Sequence, residues 1–199
     1  MNYATADELQ AYVDASGAAS FSAADRSNME TALSAASRWI DEQLDTQFAA
    51  VAATRYFTAC WPDLCYIDDL AALTSLKTDE DGDGVCEAVW TDADYILEPT
   101  NAAGKGRPYR QIRRRANGSR SFPTGVDAVE VVGSFGYAVV VPGPIKQATL
   151  LLAARLWRRK DAIFGVAGTP GLGVTIVQAK ITADSDVMAL LQALDRRVI

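Results

Sequence analysis

The sequence predicts an α+β protein with a helical core and a small antiparallel β-sheet lobe. Three apolar helical patterns predict the core: a long N-terminal helix, a central apolar helix and a C-terminal helix. Short segments rich in β-branched and aromatic residues lie between the first two and predict the sheet. With 49% hydrophobic residues, the chain can bury one ordinary core, so we expect a single domain, 1–199. Within it we assign 1–50 to the N-terminal helices, 54–140 to the β-rich lobe, 143–164 to the central helix, and 165–199 to a Gly-rich loop and C-terminal arm.

Two N-terminal helices are predicted from their caps and apolar spacing. Thr5 and Glu8 form a capping-box pattern, which predicts a short helix ending near Gly17. Ser22 begins a second helix, which we expect to run to about Phe48. Its apolar residues recur at spacings of three and four, as on an amphipathic helix: Met29, Leu33, Ala36, Ile40 and Leu44.

The middle of the chain predicts several short strands separated by polar turns. Gly133 and Gly136 interrupt the last of them and indicate a bulge or bend. The predicted strands are residues 54–58, 73–77, 87–90, 95–97, 109–114 and 126–137.

The last third of the chain begins with a helix predicted over 145–164, with a proline in its first turn. The middle of this helix is apolar on all sides, so neighbouring elements or subunits must cover it. Glycines in 165–173 predict a loop, and 174–181 alternates like a strand. A final helix is predicted, capped by Asp184 or Ser185.

Charge and composition restrict the possible functions. The chain carries 25 acidic and 19 basic residues, a net charge of -6, which opposes binding to phosphate polymers. It has no histidine, the commonest general base near neutral pH, so we expect no enzyme, no catalytic residue and no cofactor. No apolar run is long enough for a membrane span, and the N-terminus lacks a secretory pattern, so we expect a soluble cytoplasmic product. In that reducing compartment Cys60, Cys65 and Cys86 are expected to remain thiols that serve as packing residues.

An acidic segment is a candidate calcium site. Carboxylates at alternate positions followed by a glycine resemble the first half of an EF-hand-type loop. The twelfth position, however, holds Trp90 instead of a bidentate glutamate, and an acidic hairpin tip explains the same pattern. We therefore assign no metal ion and retain four residues as calcium candidates: Asp79, Asp81, Asp83 and Glu87.

A cluster of arginines supports an alternative function, a nucleic-acid-binding module using residues 110–120. On a strand Arg113 and Arg115 face opposite to Arg114, so the charges do not form one stripe. A solvated strand and its loop are the competing interpretation. The residues of this basic patch are Arg110, Arg113, Arg114, Arg115 and Arg120.

The order of these elements resembles the head-to-tail adaptor (connector) proteins of tailed bacteriophages, over nearly the whole chain. The residues that carry the resemblance are the helix 22–48, the acidic hairpin 78–90 with the following 94–99, the strand 129–137, the helix start 141–148 and the arginine-ended helix 150–160. A hairpin at 61–66 departs from the family pattern.

This resemblance implies a structural protein of the virion neck, assembled in the host cytoplasm. It implies a homo-oligomer, a twelve-fold ring whose central channel DNA crosses without specific binding. The implied partners are the portal protein and the next neck or tail protein, with no membrane. It also implies that the C-terminal segment docks on the portal, through Val187, Leu190, Leu191, Leu194, Arg196 and Arg197.

Overall fold

The described part of the chain forms two compact units. The first unit combines Met1–Asp45 with Pro142–Ile199, and the second is Thr46–Val141. The assignment of the chain to a single adaptor domain stays a prediction. The computed structural model describes residues 1–17, 20–159, 185–192 and 194.

The described residues of the first unit form helices. Its helices are α1 (Ala6–Val13), α2 (Ala23–Leu44), α3 (Gly143–Arg158) and α4 (Ser185–Gln192). Helix α3 packs against each of the other three, which explains how its apolar surface is covered. None of the helices in the described ranges is long and apolar enough to cross a membrane.

The capping box predicted at Thr5 is confirmed, and so is the cap predicted at Ser22. The Thr5 hydroxyl accepts a hydrogen bond from the Glu8 amide at 3.3 Å, and the Glu8 carboxylate accepts one from the Thr5 amide at 3.0 Å. Ser22 and Asp25 make the same reciprocal pair at the start of α2. Each box satisfies amides that the first helical turn leaves without partners.

Helix α2 ends earlier than its sequence predicts. Asp45 adopts a left-handed conformation with φ of 47°, which stops the helix before Phe48. Phe48 is buried in the second unit, where its ring lies 5.2 Å from that of Tyr137. A residue that continues the apolar spacing of the helix therefore lies in the second unit, beside Tyr137.

The start of α3 agrees with the prediction, because Pro144 lies in its first turn. The predicted continuation of this helix to 164, the loop 165–173 and the strand 174–181 lie outside the described residues. The buried residues of α3 occupy several faces of the helix, as an all-apolar segment requires: Ile145, Ala148, Thr149, Leu150, Leu152, Ala153 and Ala154.

The second unit is built on one six-stranded antiparallel sheet. The order of its main strands is β1-β6-β2-β5-β4, and β3 pairs with β2. The strands are β1 (Val51–Phe57), β2 (Leu64–Thr78), β3 (Ala88–Val89), β4 (Tyr95–Glu98), β5 (Tyr109–Arg114) and β6 (Val129–Phe135).

One face of the sheet carries a hydrophobic core. Along β6, buried and half-buried residues alternate, as expected for a strand with one buried face. The predicted irregularity near Gly133 is present as register shifts in the facing part of β2. A Cβ at Gly133 would lie 2.4 Å from the Ala72 carbonyl oxygen, so only glycine fits this approach. The buried cluster includes Leu70, Leu76, Ile112, Val129, Val131 and Phe135.

The predicted helical core with a small β lobe is wrong. The chain contains helices and an antiparallel sheet, but the sheet has six strands and its own hydrophobic core. The error lies mainly in β2, which has 15 residues where the sequence predicts only 73–77. Asp68 and Asp69 resemble turn residues, yet they pair with Arg55 and Arg110 at 2.5 and 3.1 Å. The Asp69–Arg110 pair joins the neighbouring strands β2 and β5, and Asp68 pairs with Arg55 of β1. With these charged partners both aspartates can lie within a strand.

Candidate functional site

The acidic loop between β2 and β3 is organised by Asp79. Its buried carboxylate accepts hydrogen bonds from the backbone amides of Gly82, at 2.7 Å, and Gly84, at 2.8 Å. Both glycines have positive φ, 81° and 88°, a conformation that glycine adopts without steric cost. The hydrogen bond from Gly84 is the main cause that lowers the pKa of Asp79. The carboxylate therefore stays charged and holds the loop closed.

The structure brings the four calcium candidates together. Their carboxylate oxygens lie within 4.8 Å of one another, with Asp79 buried and Asp81, Asp83 and Glu87 exposed. Asp83 also accepts a hydrogen bond from the Val85 amide at 2.8 Å. Carboxylate oxygens are the ligands that Ca²⁺ prefers. The donor set fits a hard cation, and the four residues remain calcium candidates.

Trp90, at the twelfth position of the loop, has a structural role. Its side chain is buried, its indole N–H donates to the Thr78 hydroxyl at 2.9 Å, and its ring stacks on Phe122 with centroids 4.4 Å apart. A bidentate carboxylate is therefore absent at the position where an EF-hand carries one. The loop is the tip of a hairpin anchored in the sheet core.

Three arginines of the basic patch are paired with carboxylates. Arg113 lies 3.1 Å from Glu98 and 3.4 Å from Asp63. Arg110 pairs with Asp69 at 3.1 Å, and Arg120 pairs with Glu80 at 2.6 Å. All of these pairs are partly exposed, so each contributes little to stability. They do neutralise the positive charge that a phosphate backbone would require.

The other two arginines are also integrated into the sheet unit. Arg115 Nε donates to the backbone carbonyls of Asp92 and Tyr95, at 3.0 and 2.9 Å. Arg114 is half-buried. Its Nε is buried and has no hydrogen-bond partner within the described structure. The five arginines thus support the strand interpretation rather than a continuous basic surface for nucleic acid.

The predicted portal-docking residues differ in their exposure to solvent. Val187 and Leu191 are 0% and 2% exposed in a helix that packs against α3, and their role in docking stays a prediction. Leu190 and Leu194 are half-buried. Arg196 and Arg197 lie outside the described residues.

Cys60 is exposed, Cys65 is buried and Cys86 is half-buried. The interpretation of all three as packing residues is therefore wrong for Cys60.

The structure also reveals an exposed aromatic pair that sequence reasoning missed. The rings of Trp61 and Tyr66, each about half exposed, meet edge to face with centroids 6.4 Å apart.

Asp94 is a second buried carboxylate whose role the sequence does not indicate. It accepts hydrogen bonds from the amide and hydroxyl of Thr91, at 3.0 and 2.7 Å, and from the same groups of Ser119, at 3.2 and 3.1 Å. The bonds from Thr91 are the main cause that lowers the pKa of Asp94 to about 2. Asp94 thereby joins two loops of the sheet unit.

Comparison with known proteins identifies solved structures that share the fold of this chain. No family model matches the sequence, and no curated protein matches it significantly. Solved structures do match. A chain in the virion of a native gene transfer agent (GTA) particle is 21% identical with a TM-score of 0.56, covering 96% of this chain and 88% of that chain. The chain has the fold of a protein from that particle.

Two further matches come from structures of the neck of such particles. A chain in the neck of an empty GTA particle, computed with C6 symmetry, is 20% identical with a TM-score of 0.54, covering 96% of this chain and 88% of that one. A chain in the neck of a native GTA particle, computed with C12 symmetry, is 20% identical with a TM-score of 0.50, covering 94% and 85%. These matches extend over both units of the chain.

Proposed function

We propose that this chain is a structural head-to-tail adaptor of a tailed phage or phage-like particle. In this proposal it forms a ring in the virion neck, joins the portal to the next neck or tail protein and continues the DNA channel. The observation that carries the proposal is the fold shared with chains of GTA neck structures over 94–96% of this sequence. The adaptor-like order of its sequence elements supports the same role independently.

The proposed ring has twelve subunits. Neck structures containing chains of this fold were computed with C6 and C12 symmetry. In a closed cyclic ring each subunit meets its neighbours through two different surfaces. An isolated subunit is then expected to leave some apolar side chains uncovered, and the large exposed ones of the sheet unit include Val89, Val126, Val139 and Val140.

The charge distribution is compatible with a channel that does not grip DNA. The net charge is -6, and four of the five arginines of the basic patch are engaged by acceptors within the sheet unit. Like charge reduces the adhesion of a passing polyanion. We propose that the protein works through its surfaces without catalysis, and no observation favours the nucleic-acid-binding alternative.

The test is reconstitution with the portal protein of the same particle. We expect a stable complex in which light scattering gives the mass of the portal plus about twelve adaptor chains, and electron microscopy shows a ring on one portal face. If the portal assembles but the chain does not bind it, the proposal is wrong. Steeply salt-dependent DNA binding by the free chain would instead favour the nucleic-acid module.

The predicted portal-docking role of the C-terminal segment is better tested by point substitutions than by deleting the segment. Deleting α4 would remove Val187 and Leu191 from the helical unit and confuse instability with lost docking. Reversing the charges of Arg196 and Arg197 to glutamate avoids this problem. We expect weaker portal binding, whereas the same reversal at exposed Lys105 and Arg107 is the matched control and leaves binding intact.

A further inference from the structure

The hairpin at 61–66, the segment that departs from the adaptor pattern, has a defined geometry. Trp61 and Leu64 exchange both backbone hydrogen bonds, at 3.3 and 3.2 Å, so they form a hydrogen-bonded antiparallel pair around a two-residue turn. The turn is fixed from outside, because the carbonyl of Pro62 accepts from the Phe122 amide at 2.9 Å. These hydrogen bonds fix the conformation of the turn.

The pairing is flanked by two cysteines, Cys60 in the bend before Trp61 and Cys65 directly after Leu64. In an antiparallel hairpin, the positions next to a hydrogen-bonded pair face each other as a non-hydrogen-bonded pair, with Cα atoms about 4.5 Å apart. Those positions here are Cys60 and Cys65. A separation of about 4.4–6.8 Å is the range that a disulfide bridges. The two thiols are thus in reach of one another.

The opposite face of the hairpin agrees with this assignment. Trp61 and Tyr66 make their ring contact there, as expected for diagonal neighbours on one face of a pair of strands. Side chains alternate between faces along a strand. Cys65, between Leu64 and Tyr66 on β2, therefore points to the other face, and Cys60 lies in the bend just before Trp61.

The environments of the two thiols differ. Cys60 is exposed and Cys65 is buried. Burial, and then the nearby Cys60, raise the pKa of Cys65 to about 12, so Cys65 rests as a neutral thiol. The charges that act on Cys86 come from Glu130 and other residues around the acidic loop. Because Cys60 is the exposed thiol of the two, an oxidant in solution reacts with Cys60 first.

We propose that Cys60 and Cys65 are an oxidisable pair that closes to a disulfide across the 61–66 hairpin. The co-reactant is a low-molecular-weight disulfide such as oxidised glutathione. The Cys60 thiolate attacks it, forming a mixed disulfide and expelling one glutathione thiolate. Cys65 then loses its proton to solvent and attacks the Cys60 sulfur, expelling the second glutathione. Two thiols are oxidised and one external disulfide is reduced.

The experiment treats the full-length protein with oxidised glutathione and maps its peptides without reduction. Trypsin cleaves after Arg55 and Lys77, so one peptide, 56–77, contains both cysteines, and another, 78–105, contains Cys86. We expect the first peptide to lose the mass of two hydrogens and to resist alkylation. Cys86 should remain alkylatable, and dithiothreitol should reverse the change.

Three cysteine variants distinguish oxidation of this pair from unspecific oxidation of thiols. Cys86→Ser should oxidise like the parent, whereas Cys65→Ser should retain one stable glutathione adduct on Cys60 because no resolving thiol remains. If Cys65→Ser misfolds, Cys60→Ser, which changes an exposed side chain, should acquire no adduct on Cys65. A stable adduct on the parent protein, a bridge to Cys86, dimerisation through Cys60 or no reaction would each overturn the proposal.

Discussion

Substitution of Trp90 tests how the acidic loop is anchored in the sheet unit. Its ring stacks on Phe122 with centroids 4.4 Å apart, and its indole N–H donates to the fully buried Thr78 at 2.9 Å. Trp90→Ala removes the ring and leaves the Thr78 hydroxyl without this donor. Trp90→Phe is the matched control, because it keeps an aromatic ring for stacking and removes only the N–H donor.

The expected loss of stability follows from these contacts. Large-to-small changes of buried aromatic residues cost about 3–5 kcal/mol in the free energy of unfolding. The unsatisfied Thr78 hydroxyl contributes to that total, since a buried polar group without a partner costs about 1–3 kcal/mol. Trp90→Ala should therefore cost about 3–5 kcal/mol, and Trp90→Phe mainly the smaller polar cost.

The assay is urea unfolding followed by circular dichroism, with hydrogen exchange measured by mass spectrometry on the same variants. Because the chain has two compact units, exchange shows which unit is destabilised. We expect faster exchange in β2 and β6, with α2 and α3 less affected. A loss below about 1 kcal/mol for Trp90→Ala, a value ordinary for surface changes, would refute the anchoring argument.

Three further predictions concern other residues of the sheet unit. Gly133→Ala should destabilise the sheet, because its Cβ would lie 2.4 Å from the Ala72 carbonyl oxygen. Gly104→Ala, with open space around its Cβ, is the control, and equal unfolding midpoints would contradict the prediction. Asp94 has a pKa depressed from 3.8 to about 2, so its stabilising effect is present above pH 3.8 and is lost as the pH falls towards 2. Asp94→Asn should flatten the pH dependence of the urea midpoint in this window, and an unchanged slope would count against it. If the acidic loop binds calcium, calorimetry should detect a site that Asp81→Asn weakens. Absence of heat at millimolar calcium would remove the four candidates.

Local sequence signals predicted the elements whose structure depends on near neighbours. The capping boxes at Thr5 and Ser22 were predictable because donor and acceptor are three residues apart. Strand β5, Tyr109–Arg114, has the predicted bounds, because its composition favours a strand and its polar flanks end it. The grouping of Asp79, Asp81 and Asp83 was predictable for the same reason, since one tight turn contains all three.

Interactions between distant parts of the chain account for the errors. Asp68 and Asp69, in the first half of β2, looked like turn residues because their partners are 13 and 41 residues away in sequence. The basic patch looked free for the same reason, since Arg113 meets Asp63 across 50 residues. Partners so far apart in the sequence become neighbours only when the strands pair in the folded sheet.

The sequence by itself determined the caps, the acidic turn, the net charge and the adaptor-like order of elements, because each depends on composition or on residues a few positions apart. The tertiary structure decided that the sheet is a unit with its own core, that four of the five patch arginines are engaged within it and that Val187 and Leu191 are buried. It also showed that Cys60 is exposed while Cys65 is buried. These properties depend on which surfaces pack together, and burial is a property of the folded chain rather than of any segment.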